Sequence, residues 1–497
     1  MRSARRLLFT HAIVACGWFS PLGDLQAAPW AEPNDRALRH AIEVLRDTGL
    51  LTGPITAWPI PWQTLAEALD KLPPHELTEQ QQQAVSLLNG AVRNADRFKI
   101  TSQISTATYP RALGGFGDTE REKSAAAISL EAMGEVFAIN LSATYSSDAS
   151  DGDTWRADNS YLSARVGNWG LGIGALERFW GPAWQDSLIL SSNARPSPGL
   201  FIQRLSPDAF ETPWLSWLGP WQLTTFVNQL ESARDYSHTK FWGLRITHSP
   251  FSFLELGYSR TALFGGTSRP ESLSVITDLL LGRDNRGGDG IADDASNEPG
   301  NQLGGFDWRA SAHLDNYSGA WYGQVIGEDE SGGTPSRNIG TMGLELATAT
   351  ATISHRIWLE GSNTLMRFDR DGMANGTYEH AIYTSGYRYH GRSMGASSDN
   401  DSQVYSLGGL HSFEDGDLIT WRLGKAYLNR DGSNAPLPGG NPLSERALTL
   451  LIADASYQHS LSETSQIIVG GQYLEQPIDA RADVLDSNVY ITLKSYW

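Results

Sequence analysis

The stretch Val136-Phe137-Ala138-Ile139-Asn140-Leu141-Ser142-Ala143-Thr144-Tyr145 decides the fold class. Its odd positions are apolar, whereas Asn140, Ser142 and Thr144 fall between them, so a strand of period two has one greasy face and one polar or small face. The alternation recurs in Trp242/Leu244/Ile246 against Gly243/Arg245/Thr247, in Ile419/Trp421/Leu423 against Thr420/Arg422/Gly424, and in Leu162/Ala164/Val166 against Ser163/Arg165. Arginine on the polar face is the informative part. A soluble sandwich needs its inward faces apolar, but a membrane barrel turns the apolar face to lipid and keeps a polar lumen. Aromatic residues at strand ends, such as Phe137 and Tyr145, fit interfacial girdles.

Connection lengths point the same way. Tight links at Gly167-Asn168-Trp169, Ser249-Pro250, Asp315 to Gly319 and Glu414 to Asp417 alternate with long polar loops at Thr261 to Gly304, Gly361 to Gly376 and Asn429 to Arg446. The last residues set Val489, Ile491 and Leu493 against Tyr490, Thr492 and Lys494 and end on Trp497, which suits outer-membrane insertion. At roughly 22 residues per strand and connection, the region 98–497 holds about 18 strands. A segment-by-segment pass gives nearer twenty, the doubtful stretches being Leu176 to Trp221 and Ser385 to Ser402. The fold expected is therefore an all-β antiparallel outer-membrane barrel.

Composition agrees. The 497 residues carry a formal charge of −18, 50 Gly, 17 Trp and one Cys. A disulfide scaffold, a disordered chain and a nucleic-acid binder are excluded. Beyond the N-terminus no apolar run reaches the length of a spanning helix. Residues 1–27 read as a signal peptide: Arg2, Arg5 and Arg6 precede the apolar run Leu7 to Phe19, and Ala27-Ala28 offers a cleavage point. Ile13-Val14-Ala15-Cys16 also fits a lipobox, which would make Cys16 the lipidated N-terminus. Cleavage after Ala27 gives a mature charge of −20 and no cysteine.

Residues 28–97 read as a periplasmic helical bundle. Asn34 or Asp35 caps a helix whose stripe is Leu38, Ala41, Ile42 and Leu45, ended by Gly49. Pro61 opens a second helix with Leu65, Ala68, Leu69 and Leu72, stopped by Pro73-Pro74. Thr78 with Gln81 has capping-box spacing and opens a third, with Gln80 to Gln83 expected as a solvated first turn.

The densest chemistry lies in Leu176 to Pro196. There Trp180 and Trp184 could stack on sugar rings while Glu177, Arg178 and Arg195 bind hydroxyls or carboxylates; alternatively the same residues form an internal plug, with Arg178 paired to lumenal acids. Asp284 to Asp294 lacks the spacing and closing Glu of an EF-hand, and reads as a solvated loop, as do Glu328-Asp329-Glu330 and Asp399-Asn400-Asp401. No nucleophile elbow, zinc motif or P-loop occurs, and the histidines show no metal spacing, so neither catalysis nor a metal or other cofactor is expected.

Strings across nearly the whole chain resemble the capsule assembly protein Wzi family: Trp30 through Trp62, Glu177 to Pro198, Trp217 to Trp221, Leu254 to Thr261, Gly282 to Asn285, Pro299 to Leu303, Gly305 to Arg309, Tyr322 to Gln324, Ile326 to Glu330 and Tyr387 to Tyr389. The resemblance implies a barrel of about 18 strands with a periplasmic helical bundle, acting as a non-catalytic lectin that holds capsular or extracellular polysaccharide at the cell surface. Outer-membrane lipid is the surrounding partner, and the polysaccharide export machinery a further one. A diffusion or sugar-selective channel is the rival reading, since its polar lumen looks identical in sequence; a glycan-modifying enzyme is a third. Trp497 stands where such barrels more often end in Phe. The acidic charge sets a tension with a uronic-acid polymer, unless divalent cations bridge or local arginine dominates.

Overall fold

The period-two alternation carries through the barrel of the computed structural model, which describes residues 30–72, 77–95, 98–272, 301–327, 330–331, 334–335, 337–366, 374–380, 382–437, 440–479 and 484–497. The export segment with Cys16, the Pro73-Pro74 stop, the Gly282 to Asp294 region and the side chains of Glu328-Asp329-Glu330 lie outside the described residues.

Eighteen antiparallel strands close the barrel: β1 (Lys99–Ala107), β2 (Ser124–Met133), β3 (Phe137–Ser147), β4 (Tyr161–Val166), β5 (Trp169–Gly174), β6 (Gly199–Arg204), β7 (Trp221–Gln229), β8 (Lys240–Phe251), β9 (Leu254–Phe264), β10 (Gln302–Leu314), β11 (Tyr317–Gly327), β12 (Asn338–Ala349), β13 (Ile353–Asn363), β14 (Gln403–Phe413), β15 (Leu418–Leu428), β16 (Leu448–Ser462), β17 (Ser465–Leu474) and β18 (Asn488–Tyr496). The last strand pairs with the first, from Tyr490 opposite Ala107 to Tyr496 opposite Thr101, so no edge is left open. Trp497 adds a two-way backbone bond with Ile100. The surplus over eighteen in the segment-by-segment pass is loop: within Leu176 to Trp221 only β6 joins the barrel, and Ser385 to Ser402 holds a two-residue hairpin, Arg388–Tyr389 with Arg392–Ser393.

Connections of two to four residues join the strands at one end, apart from the link 205–220, and long loops at the other. One tight link is displaced from Ser249-Pro250. β8 runs on to Phe251 with a register irregularity after His248, and the turn is Ser252-Phe253. A proline, lacking an N–H, fits such an irregular position.

On β3 the side chains of Phe137, Leu141 and Tyr145 are exposed on the outer face while Asn140 is buried inside, as the alternation requires. Tyr145 packs edge-on against Trp155 at the long-loop end, and Trp214 and Trp217 stand exposed in the link 205–220. These rings suit the two lipid–water interfaces. Of the three arginines read as lumenal, Arg245 and Arg422 are buried inside with Asp307 and Asp454, whereas Arg165 is exposed beside the β4–β5 turn.

The N-terminal region sits at the short-turn end. Asp35 caps α1 (Arg36–Asp47), its Oδ1 accepting from the Leu38 N–H at 2.9 Å, and Gly49 follows at φ +78°. Helix α2 (Trp62–Asp70) starts just after Pro61, and Thr78 and Gln81 exchange the reciprocal bonds that open α3 (Glu79–Ala95). The glutamine run is not a solvated turn. Gln80 is fully buried and bonds Asn316 and Ser318, and Gln83 reaches the Thr350 carbonyl, so the run docks α3 onto two strand turns.

Helix α1 packs its apolar stripe on its neighbouring helices and buries its polar face, Arg39, His40, Glu43 and Asp47, against the inner barrel wall. There Arg309 of β10 joins Asp47 and Glu345, and Arg356 of β13 joins Glu345 at 2.9 Å and Glu43 at 3.2 Å. Removing one member of a buried ion cluster leaves its partners charged and unpaired, at a cost of about 3–5 kcal/mol. Glu345→Ala is therefore expected to lower the temperature at which the folded, fast-migrating band converts to the unfolded one in heat-modifiability gels. An unchanged conversion temperature would mean that the network does not hold the helix in the barrel.

Candidate functional site

Residues 175–198 leave the top of β5, drop into the lumen and return to β6. Irregular backbone inside a barrel needs partners, and the wall supplies them. Glu360 of β13 accepts from the Trp184 and Gln185 N–H groups at 2.6 and 2.8 Å, and the Gln324 side chain of β11 bonds the Leu188 N–H and the Trp180 carbonyl. Phe179–Trp180 pairs as a two-residue bridge with Ala57–Trp58 of the N-terminal region. Arg39 of α1 reaches up to the Pro182 and Ala183 carbonyls at 2.6 and 3.0 Å. The inserted loop and α1 thus meet in mid-barrel and plug it. Gly181, at φ +152°, packs there directly on Gln324.

This arrangement places both tryptophans inside the protein. Trp180, 1% exposed, leans on Phe226, and Trp184, 3% exposed, is stacked on Trp358 at 4.9 Å with the Arg39 guanidinium 4.2 Å from its ring. Trp184 Nε1–H also donates to Glu345 at 2.9 Å. Both rings are enclosed by protein.

Glu177, Arg178 and Arg195 come together at a small cavity facing the long-loop end, with Asn228, Ser197 and Met394 among its walls. Glu177 is tied to Arg121 of the loop 108–123. Arg178 is not paired to lumenal acids, and in this the plug reading is corrected. It donates to the Leu176 carbonyl, lies 4.3 Å over the Phe226 ring and leaves its buried Nε without a partner; burial pulls its guanidinium down to about 9.

Arg195 bonds Asp158 at 3.0 Å, Asp151 at 2.5 Å and Asp153 at 3.2 Å. Burial opposes its charge, but the hydrogen bonds and charges of Asp158 and Asp151 outweigh that and hold it above its ordinary value. Arg156 adds ion pairs to Glu122 and Asp151 at 2.7 and 2.8 Å. His390 lies 3.6 Å from Asp153, making with Asp151 and Asp153 a set of ligand type; the cation on those two aspartates is the Arg195 guanidinium itself. Sequence reasoning missed Asp151, Asp153, Asp158, Arg121, Arg156 and His390; the acid-rich run Asp148 to Asp158 was a signal for the three aspartates and Arg156, and nothing local marked Arg121 or His390.

A lid covers the plug. Tyr378 and Tyr387 donate their hydroxyls to the Leu188 and Ile189 carbonyls at 2.7 Å, and the Ser191 N–H bonds the Met394 carbonyl at 2.8 Å. The cluster Asp399-Asn400-Asp401 belongs to this lid and is buried rather than solvated: Arg388 holds Asp399, and Asn400 bonds Glu379 and the Gly440 carbonyl.

Comparison with known proteins places the chain. The sequence profile of the family described as "Capsule assembly protein Wzi" matches residues 93–488. An "Uncharacterized 55.8 kDa protein in cps region" of Klebsiella pneumoniae is 33% identical over 346 residues, which is 69% of this chain and 67% of that protein. The solved structure of Wzi from Escherichia coli, described as an outer membrane protein involved in group 1 capsule assembly and a carbohydrate binding beta-barrel, superposes with a TM-score of 0.80 at 26% identity, covering 94% of this chain and 99% of that one.

Burial opposes ionisation of Asp151, but the Asp153 N–H and the Arg195 and Arg156 guanidinium groups outweigh it and hold the carboxyl below the usual range. A depressed carboxyl stabilises the folded loop above its unfolded value, about 3.9, and loses that contribution as pH falls through the folded value. A spin label on Ala157→Cys is expected to keep constant mobility from pH 7 down to about 4 and to loosen below it. Loosening already between pH 7 and 5 would show that the Asp151 pairing does not order this loop.

Proposed function

The chain belongs to the capsule assembly protein Wzi family, and from that premise we propose that it is a lectin that binds capsular or extracellular polysaccharide at the long-loop end of an outer-membrane barrel and keeps the polymer on the cell. The observation that carries this reading is the plugged lumen beneath a polar cavity. Described residues from α1 and the loop 175–198 fill the barrel from both ends, so the long-loop end presents a floored surface instead of a pore mouth.

The binding chemistry is read as polar. Glu177, Arg178 and Arg195, with Asn228 and Ser197 beside them, give donors and acceptors for sugar hydroxyls, while Trp180 and Trp184 support the floor from below. The action is binding without bond cleavage: the carboxylates near the cavity are engaged by arginine, Glu177 by Arg121 and Asp158 by Arg195, which leaves them poorly placed as general acids. Short turns, α2 and α3 face the periplasm in this orientation, while α1, from the same N-terminal region 28–97, reaches up into the lumen. The polysaccharide export machinery is the partner proposed on that side.

Deleting the gene is expected to leave total polymer unchanged while moving it from the cell fraction to the medium, with retention restored by the wild-type copy. An unchanged partition between cells and medium would overturn the lectin reading. The channel reading makes a separate demand. Purified protein in planar bilayers is expected to give no steady open current, whereas sustained conductance would restore the channel.

A further inference from the structure

Across Ser191 from the cavity of Glu177, Arg178 and Arg195 lies a second small one, walled by the loop 108–123, the inserted loop and Arg392 of the lid hairpin. Outside the walls of both, where the lid meets the loop 429–447, one acid is left over. Among the described residues of the lid, Glu379 and Asp399 share Arg388 at 2.5 and 2.6 Å. Asp401, 1% exposed, makes no ion pair among the described residues. Its Oδ2 accepts from the Asp431 N–H at 3.0 Å and its carbonyl from the Arg430 N–H at 3.2 Å, but its Oδ1, buried, meets no donor.

What surrounds Asp401 is rich in oxygen. The Asp431 carboxylate stands beside its own; burial and this like charge push Asp401 up to about 6, although the Asp431 N–H and the charge of Arg430 pull the other way. Asn375, near the start of the lid, donates Nδ2–H to Asp431 Oδ2 at 2.8 Å and leaves its own buried Oδ1 without a donor. Side chains from the two ends of the lid and from the loop 429–447 thus converge with two buried oxygens unsatisfied. A carboxylate is acceptor-only, so two of them side by side need a cation or a shared proton. Carboxylates with an amide carbonyl, and neither histidine nor cysteine, make the hard oxygen set that calcium takes, and its loose geometry suits irregular loops better than the strict octahedron of magnesium. Asp431 is exposed, which leaves that side open to water.

We propose that Asp401, Asp431 and Asn375 form a calcium site that fastens both ends of the lid to the loop 429–447, with water completing the shell at the exposed Asp431. The site goes beyond the lectin reading and does not depend on it. Asn400 and Asn441 bond across the same seam, which keeps the three ligands in register. The consequence is mechanical: the lid grips Leu188 to Ser191 through Tyr378, Tyr387 and Met394, so an ion at its two ends steadies the roof of the plug.

The test titrates Ca²⁺ into the full-length protein, chelator-treated and in detergent free of lipopolysaccharide, by isothermal calorimetry, and follows amide hydrogen exchange with and without the ion. Wild type is expected to take one ion per chain with a Kd of about 10⁻⁴–10⁻³ M, the range of extracellular calcium modules, and to exchange more slowly at 399–402 and 429–433 when it is bound. Asp431→Asn, at an exposed position, is expected to weaken binding at least about tenfold with unaltered heat-modifiability, the size of loss that removing one charged ligand carries. Calcium binding that Asp431→Asn retains would put the ion elsewhere in the chain and overturn the site. So would wild-type protein that binds no Ca²⁺ at concentrations about tenfold above that range, which would leave the two carboxylates sharing a proton. Binding without slower exchange in those two segments would overturn it as well. The wild-type measurements need no variant, so a folding failure of Asp431→Asn cannot shelter the proposal.

Discussion

Polar groups held inside a barrel away from water must find partners within the protein, and here the inner wall provides them with carboxylates. Glu345 is the centre of it. It receives Arg309 from β10, Arg356 from β13 and the indole N–H of Trp184, while Arg309 and Arg356 also hold Asp47 and Glu43 on the helix. One anionic group thereby ties wall, helix and inserted loop together. Glu360 and Glu255 extend the scheme, accepting backbone N–H groups of Trp184 and Gln185 and of Ile55 and Thr56. Without these acceptors the non-helical backbone of 52–59 and 177–190 would be an unpaired load that a lumen could not bear.

These internal acceptors give the barrel an upper surface that is built rather than left over. The plug fixes the height of Ser187 to Asn193, and the lid grips that stretch through Tyr378, Tyr387 and Met394. The two cavities are the spaces these layers leave between them, divided at Ser191, which lines both. A recognition surface of this kind takes its shape from buried hydrogen bonds, so a ligand meets preorganised groups and pays little to order them. The cavity-lining side chains are accordingly supported from beneath by buried residues, Trp184 and Glu360 among them.

Periodicity carried the barrel because lipid imposes it: every second residue of a strand must be apolar, whatever its neighbours do, and that signal is local. Caps are local too, which is why Asp35, and Thr78 with Gln81, can be read directly. The polar face of α1 was not legible, because a helix with Arg39, His40, Glu43 and Asp47 on one side looks the same whether water or a charged barrel wall faces it. Gln80 to Gln83 hid for the same reason. At the site, the glutamates, arginines and tryptophans of 177–195 stood out by density, yet their roles were settled by partners far away in sequence: Glu345 and Trp358 for Trp184, and Asp151, Asp153 and Asp158 for Arg195.

Net charge is a poor guide to what such a surface attracts. At physiological salt the screening length is about 8 Å, so a ligand in a cavity feels the few groups lining it and hardly the charge of the whole chain. Many of this chain's acids are engaged internally, by Arg309, Arg356, Arg245 and Arg422 in the lumen and by Arg156, Arg195 and Arg388 above it. The guanidinium groups with no ion pair among the described residues in these two cavities, Arg178 in one and Arg392 in the other, both lie on the long-loop side of the plug. An acidic protein can therefore carry cationic points on its long-loop side, because its negative charge is neutralised where the barrel needs it.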